Sequence, residues 1–135
     1  MTDDWDPDHR SFAEEHQWAV LATGRRDGSP QQSMVAYLVD DEGRLVISAK
    51  AYTAKWRNAV RNPRVSVTVP DGRAHLVVYG TAETIDADPV RAQLTAKLFG
   101  LLAGEEPDPD SIVPMLDEQE RTVLRITPDK ILFQD

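Results

Sequence analysis

The 135-residue sequence contains no cysteine. This absence excludes disulfide bonds, thiolate nucleophiles and cysteine-ligated metal sites. It also fits a reducing compartment, and we therefore expect a cytoplasmic protein. The N-terminus lacks an apolar run as well, because its sequence MTDDWDPDHR holds three acids within six residues. We therefore predict neither a signal peptide nor a membrane anchor there.

Several motifs of well-known enzyme classes are also absent. The chain has no GxGxxG or GxxxxGKS phosphate loop, no GxSxG serine elbow and no HExxH zinc motif. Its three histidines, His9, His16 and His75, follow no metal-ligand spacing. We therefore predict no metal site and assign no catalytic side chain. Any chemistry is expected to come from a bound cofactor that the protein holds and orients.

The composition is acidic, since 23 Asp and Glu against 15 Lys and Arg give a net charge of −8. Such a balance disfavours nucleic acid and anionic membranes as main partners, because both favour a basic protein surface. One segment differs from the rest of the chain. Residues 48–64, SAKAYTAKWRNAVRNPR, carry no acidic side chain and five basic ones: Lys50, Lys55, Arg57, Arg61 and Arg64.

The second half of this basic segment predicts a short helix. Thr53 is a suitable N-cap, and Pro63 disfavours helical geometry at the residue before it. Apolar residues at i, i+3 and i+4 predict a buried face: Trp56, Ala59 and Val60.

This helix places Lys55 in its first turn, where a cation opposes the helix dipole at a cost of about 0.3–1 kcal/mol. Free backbone N–H groups at the helix start, the Thr53 hydroxyl and two lysines together predict a phosphate site. The alternative interpretation is a solvated basic helix between two strands.

Segments rich in β-forming residues and bounded by turns predict six or seven short strands. The segments are 16–23, 31–39, 44–49, 65–69, 75–85, 121–126 and 131–133. Hairpin turns join the first three and predict an antiparallel meander. Gly80 within the fifth segment predicts a bulge or a close approach of another backbone.

Three helical segments flank these strands. We predict a short helix over about residues 7–16, with Phe12 and Ala13 packed inward, and a longer helix from Asp88-Pro89 to Gly104. Residues 111–118 predict one further helical turn or two. The longer helix carries an apolar stripe: Val90, Leu94, Leu98, Leu101 and Leu102.

Together these elements predict a mainly β fold with flanking helices. A small closed antiparallel barrel is the first interpretation, with a short helix after strand three and a longer helix before the last strand; a sandwich is the alternative. We divide the chain into an N-terminal segment, residues 1–15, and a single cofactor-binding domain, residues 16–135.

The order of features resembles a known family. Residues 18–69, from WAVLAT to RVSVTV, are similar to the opening half of the pyridoxamine-phosphate-oxidase-like split β-barrel flavoproteins, and the similarity spans about residues 16–133. The run LATxxxDGxPQ at 21–31 and the run KxxNxxRNPR at 55–64 most resemble the actinobacterial deazaflavin-dependent oxidoreductases, which use coenzyme F420. The resemblance implies a split β-barrel of six or seven antiparallel strands.

The resemblance also implies a cofactor site. In the family, the strand carrying LVISAK and the helix carrying TAKWRN hold the cofactor phosphate, and the strand carrying QSMVAY lines the ring. Lys55 matches the phosphate-binding lysine, and Thr53 stands where the family commonly has an arginine. Lys50 or Arg57 would then reach the same anion. Ser48 lies at the end of the third strand, and three residues are implied beside the ring: Gln31, Ser33 and Met34.

These features predict a homodimeric oxidoreductase in which reduced coenzyme F420 delivers hydride to a small organic substrate. Ser33 or Tyr37 is a candidate hydrogen-bond donor near the reacting centre. The resemblance implies that the cofactor lies between two barrels, which agrees with apolar side chains on both faces of strand two. An FMN-dependent reductase or oxidase is the alternative. A non-catalytic barrel that binds a cofactor or a tetrapyrrole is a second alternative.

Overall fold

The computed structural model describes residues 5–135, so residues 1–4 of the predicted N-terminal segment lie outside the described residues. The helices are α1 Pro7–Glu14, α2 Ala54–Arg61, α3 Val90–Ala103 and α4 Pro109–Glu118. The strands are β1 Trp18–Gly24, β2 Pro30–Val39, β3 Leu45–Lys50, β4 Arg64–Asp71, β5 Ala74–Ile85 and β6 Arg121–Gln134. Within residues 5–135, no helix is long and apolar enough to cross a membrane.

The six strands close into an antiparallel barrel in the order β1-β2-β3-β6-β5-β4. This order confirms the predicted barrel and its opening meander, and it excludes the sandwich. The two segments predicted at the end of the chain form one strand, β6. Residues 121–126 of β6 pair with β3, and residues 123–134 pair with β5. The last strand therefore joins the two halves of the sheet.

Gly80 allows β6 to stay continuous through its Thr-Pro-Asp-Lys stretch. The register of β5 against β6 shifts between Tyr79 and Gly80. A Cβ atom at Gly80 would lie 2.6 Å from the carbonyl oxygen of Thr127, which is closer than real side chains come. The missing side chain therefore lets the two backbones approach closely at Pro128, and β6 continues as one strand. The predicted bulge and close approach are both confirmed.

Side chains along the strands alternate between the barrel interior and its outer surface. On β4, Val65, Val67 and Val69 are buried, while Ser66 and Thr68 between them are partly exposed. Burial of such apolar side chains is the main force that stabilises the barrel. The largest fully buried aliphatic side chains of the interior are Leu21, Leu45, Ile47, Leu76, Leu124 and Ile126.

The barrel is split between β2 and β3. The hydrogen-bonded ladder between these strands ends after Tyr37–Ile47, although both strands continue beyond it. α2 packs onto the barrel with Trp56 and Ala59, which belong to the interior cluster. Both residues were predicted to be buried, and the structure confirms these two predictions.

A polar network, rather than the predicted Val60, completes the buried face of α2. Asn58 is 7% exposed, and its Nδ2 donates to the Thr23 hydroxyl at 3.1 Å. Thr23 in turn donates to Gln31 Oε1 at 2.7 Å, and Arg61 donates to Asn58 Oδ1 at 2.9 Å. These bonds turn Asn58 toward β1. The prediction for Val60 is wrong: its side chain is 56% exposed.

α1 is anchored by its last turn. At its start, Asp6 Oδ1 accepts the N–H of Asp8 at 2.8 Å. Ala13 is fully buried and Phe12 packs against the core, as predicted. Tyr37 is also fully buried, and its hydroxyl donates to the Ala13 carbonyl at 2.5 Å. The prediction that Tyr37 serves a ligand is therefore wrong, because its side chain lies inside the barrel and holds α1.

α3 packs against the sheet and against α4, which is longer than the one or two turns predicted. Ala92 and Ala96 are small enough for α4 to approach closely. Arg91 is nearly buried and donates to Asp88 at 2.7 Å and to Asp117 at 2.8 Å, which draws its side of the helix inward. The predicted apolar stripe is therefore wrong at three positions, which are exposed: Val90, Leu101 and Leu102.

We expect Thr23→Val to lower the free energy of unfolding by about 1–2 kcal/mol, because it leaves the buried amide of Asn58 and the Gln31 oxygen without their partner. Urea denaturation measures this loss. Thr81→Val is the matched control, since Thr81 is exposed and donates only to exposed Asp129. Equal losses in the two variants would contradict a stabilising role for the network.

His16 links the end of α1 to the turn between β4 and β5. Its Nδ1 lies 2.7 Å from the Phe12 carbonyl oxygen, and its Nε2 lies 3.0 Å from Asp71 Oδ2. Burial lowers the pKa of His16. The hydrogen bonds to Phe12 and Asp71 and the charges of Asp71 and Glu15 raise the pKa, and together they outweigh burial, so the pKa lies above its usual value. The imidazolium fits both contacts, because each nitrogen then donates a proton.

We expect the His16 link to stabilise the fold fully below about pH 6.5, the pKa of the unfolded state. This stabilisation should be lost as the pH rises through the higher pKa of the folded state. The difference in unfolding free energy between wild type and His16→Gln, from urea titrations, should therefore shrink with rising pH. In an Asp71→Asn background the pH dependence should weaken. A difference that stays constant or grows with pH would overturn this account.

Candidate functional site

Lys55 lies in the first turn of α2, shortly after the end of β3. Thr53 occupies the N-cap position, as predicted. Its hydroxyl, however, donates to the Lys50 carbonyl at 2.6 Å and forms no bond with a helix N–H. The first N–H groups of α2 therefore have no side-chain cap. Backbone donors with the positive end of a helix dipole favour an anion beside them.

Three cations gather at this point. Burial, with the positive charges of Lys50 and Arg121, lowers the pKa of Lys55. Lys50 and Arg121 lie directly opposite each other on β3 and β6. Like charges at such a cross-strand pair destabilise a sheet. We call Lys50, Lys55 and Arg121 the lysine–arginine cluster.

Neutral groups hold the guanidinium of Arg121 in place. Its Nη1 donates to Ser48 Oγ at 3.1 Å, and its Nε donates to Gln119 Oε1 at 2.6 Å. The guanidinium carbon also lies 5.9 Å from the ring centre of Phe99. None of these contacts brings a negative charge. Arg121 is therefore oriented beside Lys50 without being neutralised.

Within residues 5–135, no carboxylate forms an ion pair with a member of the lysine–arginine cluster. Cations that crowd one another favour a bound anion, because a shared counter-charge relieves their repulsion. Two ammonium groups, one planar guanidinium and free helix N–H groups match the oxygens of a phosphate. The residues present therefore fit a cofactor phosphate.

An apolar and aromatic surface adjoins the cluster. Met34 lies on the outward face of β2, and continuing the β2–β3 register past the split places it opposite Lys50. Its side chain is 63% exposed. Tyr52 is 52% exposed, and its ring centre lies 6.0 Å from Lys50 Nζ. A planar ring bound beside the cluster could pack against the side chains of Met34 and Tyr52.

Gln31 and Ser33 occupy the other face of β2. Gln31 Nε2 donates to Ser33 Oγ at 2.8 Å, while Gln31 Oε1 accepts the Thr23 hydroxyl. Both side chains thus belong to the network that seats α2. Their place beside a cofactor ring remains a prediction.

Arg57 points away from the cluster. It lies two residues after Lys55, and this spacing corresponds to about 200° around a helix. Arg57 instead lines a cavity together with Arg25, Arg26 and Arg61. Its role as a substitute for the arginine absent at Thr53 remains a prediction.

The sequence predictions omit Arg121 and Tyr52. Arg121 lies 66 positions after Lys55, and only the pairing of β3 with β6 brings the two together. No local pattern in the sequence indicates that pairing. Tyr52 stands between the two lysines of the basic segment, and an aromatic side chain at that position was the available signal.

Other features lie away from the cluster. A cavity of about 300 Å³ between α1 and β6 is lined by Trp5, His9 and Ile131, among others, and by none of the predicted site residues. Among residues 5–135, no three His, Asp or Glu side chains are grouped as metal ligands.

Known proteins of this fold provide the comparison. The protein is similar to the conserved hypothetical protein Rv2991 from Mycobacterium tuberculosis, with a TM-score of 0.83, 25% identity and coverage of 97% of this chain and 84% of that chain. An F420 reductase gives a TM-score of 0.72 and 27% identity, over 95% of this chain and 98% of that chain. The heme storage protein HutZ from Vibrio cholerae gives a TM-score of 0.73 and 22% identity, over 98% of this chain and 94% of that chain. At this identity the similarity shows the fold alone.

A profile of the family described as pyridoxamine 5'-phosphate oxidase matches residues 5–135. The match covers the whole barrel and all four helices, including both strands and the helix that form the lysine–arginine cluster. The chain therefore belongs to the pyridoxamine 5'-phosphate oxidase family.

Proposed function

We propose that the protein is a coenzyme F420-dependent oxidoreductase that transfers hydride between this deazaflavin and a small organic substrate. The lysine–arginine cluster carries the proposal, because it offers a cofactor phosphate helix N–H groups and cations that form no ion pair within residues 5–135. Membership of the family and the 27% identity to an F420 reductase support the choice of cofactor. When bound, the deazaflavin supplies the hydride chemistry.

The chain's own residues are assigned to binding and orientation. Lys50 and Lys55 provide point charges, and Arg121 provides a planar fork that Ser48 helps to hold. Met34 adds apolar surface beside these groups. Hydride transfer depends on the relative orientation of donor and acceptor, so we assign no side chain as an acid or a base.

FMN is the alternative cofactor, because it also presents a phosphate to the cluster. Titration of the protein with F420 and with FMN separates the two, and tighter binding of FMN would replace the proposed cofactor. A turnover assay addresses the second alternative. Oxidation of the reduced deazaflavin by an enone or a quinone supports an oxidoreductase, whereas binding without turnover across such a panel supports a barrel that only carries a cofactor or a tetrapyrrole.

We expect Lys55→Ala to raise the Kd for F420 about tenfold or more, since a charge-assisted hydrogen bond to the phosphate is lost. The thermal midpoint should not fall, because the variant also removes a cation that Lys50 and Arg121 repel. Fluorescence titration and thermal melts measure the two effects. Lys97→Ala, an exposed lysine on α3, is the control and should leave the Kd unchanged. An unchanged Kd in Lys55→Ala would remove the phosphate assignment.

We also propose that the protein is a homodimer whose barrels meet through their outer faces. One row of outward residues crosses five strands in register: Met34, Val20, Thr68, Val77 and Leu132. Trp18 and Tyr79 flank this row and are 56% and 45% exposed. A row in which four of the five side chains are apolar favours contact with a second copy. Met34 connects the row to the surface beside the lysine–arginine cluster.

We expect wild type to sediment as a dimer and Leu132→Glu to sediment as a monomer, because a buried unpaired carboxylate disfavours the interface. Leu101→Glu on α3 is a matched control, since Leu101 and Leu132 are both 44% exposed. That control should remain dimeric. A monomeric wild type, or dissociation of the control alone, would contradict the proposed interface.

A further inference from the structure

The side of α2 that faces away from the lysine–arginine cluster borders a second basic site. Here α2 and the turn between β1 and β2 border an open cavity of about 570 Å³. We call it the arginine cavity. Its lining residues are Arg25, Arg26, Asp27, Ala54, Arg57, Asn58 and Arg61.

Two of the four arginines are fixed by main-chain carbonyl groups. Arg25 Nη1 donates to the Pro30 carbonyl at 2.8 Å, and Arg61 Nη2 donates to the Gly24 carbonyl at 2.7 Å. Carbonyl oxygens hold a guanidinium in place without cancelling its charge. The remaining N–H donors of both groups therefore stay available at fixed positions, which reduces the entropy lost on binding.

Like Arg25 and Arg61, the other two arginines, Arg26 and Arg57, are exposed to solvent at the surface of the cavity. Among residues 5–135, neither side chain has a hydrogen-bond or ion-pair partner. A partner from outside the chain would therefore meet them without first displacing an internal contact.

Asp27 is the single carboxylate among residues 5–135 that lines the cavity, and it already accepts hydrogen bonds. Its Oδ1 accepts the Ser29 hydroxyl at 2.6 Å and the Ser29 N–H at 3.0 Å. These hydrogen bonds, with the charge of Arg25, lower the pKa of Asp27, so it is ionised at neutral pH. Four guanidinium groups and one carboxylate leave a net charge of +3 in the cavity. The whole chain, by contrast, has a net charge of −8.

The residue types identify the class of ligand. All four cations are arginines, although the chain also has lysines, and the guanidinium fork matches the paired oxygens of phosphates and carboxylates. A ligand that matched the net charge of +3 would carry more than one anionic group. The volume of the cavity also falls in the range of small-molecule sites.

We propose that the arginine cavity is a second anion-binding site, separate from the lysine–arginine cluster, for a small molecule that carries several phosphate or carboxylate groups. Such a ligand bridges Arg26 and Arg57 from the solvent side while Arg25 and Arg61 hold its other oxygens. The inference goes beyond the proposed function and does not depend on which cofactor the cluster binds.

Isothermal titration calorimetry with inorganic tripolyphosphate and, separately, with citrate tests the proposal. The titrated protein is full-length Lys55→Ala, so that the lysine–arginine cluster contributes less to the signal. Titrations at low and at physiological ionic strength show how far screening weakens the exposed charges. The tighter of the two probes identifies phosphate or carboxylate as the preferred group.

In this background we expect Arg26→Gln/Arg57→Gln to weaken binding of the tighter probe about tenfold or more. The control is Arg73→Gln/Lys97→Gln, which removes the same charge from exposed positions elsewhere and should change the affinity less than about twofold. Circular dichroism melts verify that both variants fold. Absence of binding to Lys55→Ala, or an equal loss in the two double variants, would overturn the proposed site.

Discussion

The pairing of β6 with two strands at once determines where the functional groups lie. β6 joins β3 and β5, and the second pairing requires Gly80 to let the Thr127 carbonyl approach. The register with β3 then places Arg121 opposite Lys50. A slip by one residue would turn Arg121 to the opposite face of the strand and disperse the lysine–arginine cluster. The electrostatics of the site are therefore a consequence of how the barrel closes.

Local signals in the sequence predicted much of this architecture. The meander of β1 to β3 and the end of α3 at Gly104, whose φ is 84°, depend on turn and backbone chemistry within a few residues, and a glycine within a strand was a local signal for the bulge at Gly80. The start of α2 at Thr53 and the burial of Trp56 follow from the same kind of signal. These features need no knowledge of distant parts of the chain.

Features that depend on distant partners escaped prediction. Arg121 reaches the cluster only through long-range strand pairing. The Tyr37 hydroxyl donates to the Ala13 carbonyl in α1 and not to a ligand. Val60 is exposed because Asn58, a polar residue, occupies the buried face of α2 through its bond to Thr23. A count of apolar spacing assigns that face to the wrong residue, since it gives no weight to a buried polar pair.

Segregation of charge also controls which molecules can approach. Beyond about 8 Å in physiological salt the field of a small charged group is largely screened, so the cationic sites act only at contact range. An anion that approaches elsewhere meets a chain with a net charge of −8 and gains nothing to offset that repulsion. A long anionic polymer would contact a cationic site and the rest of the acidic chain at the same time. The net charge of the chain is acidic, so contact outside the cationic sites disfavours an extended polyanion more than a compact anion that fits within one site.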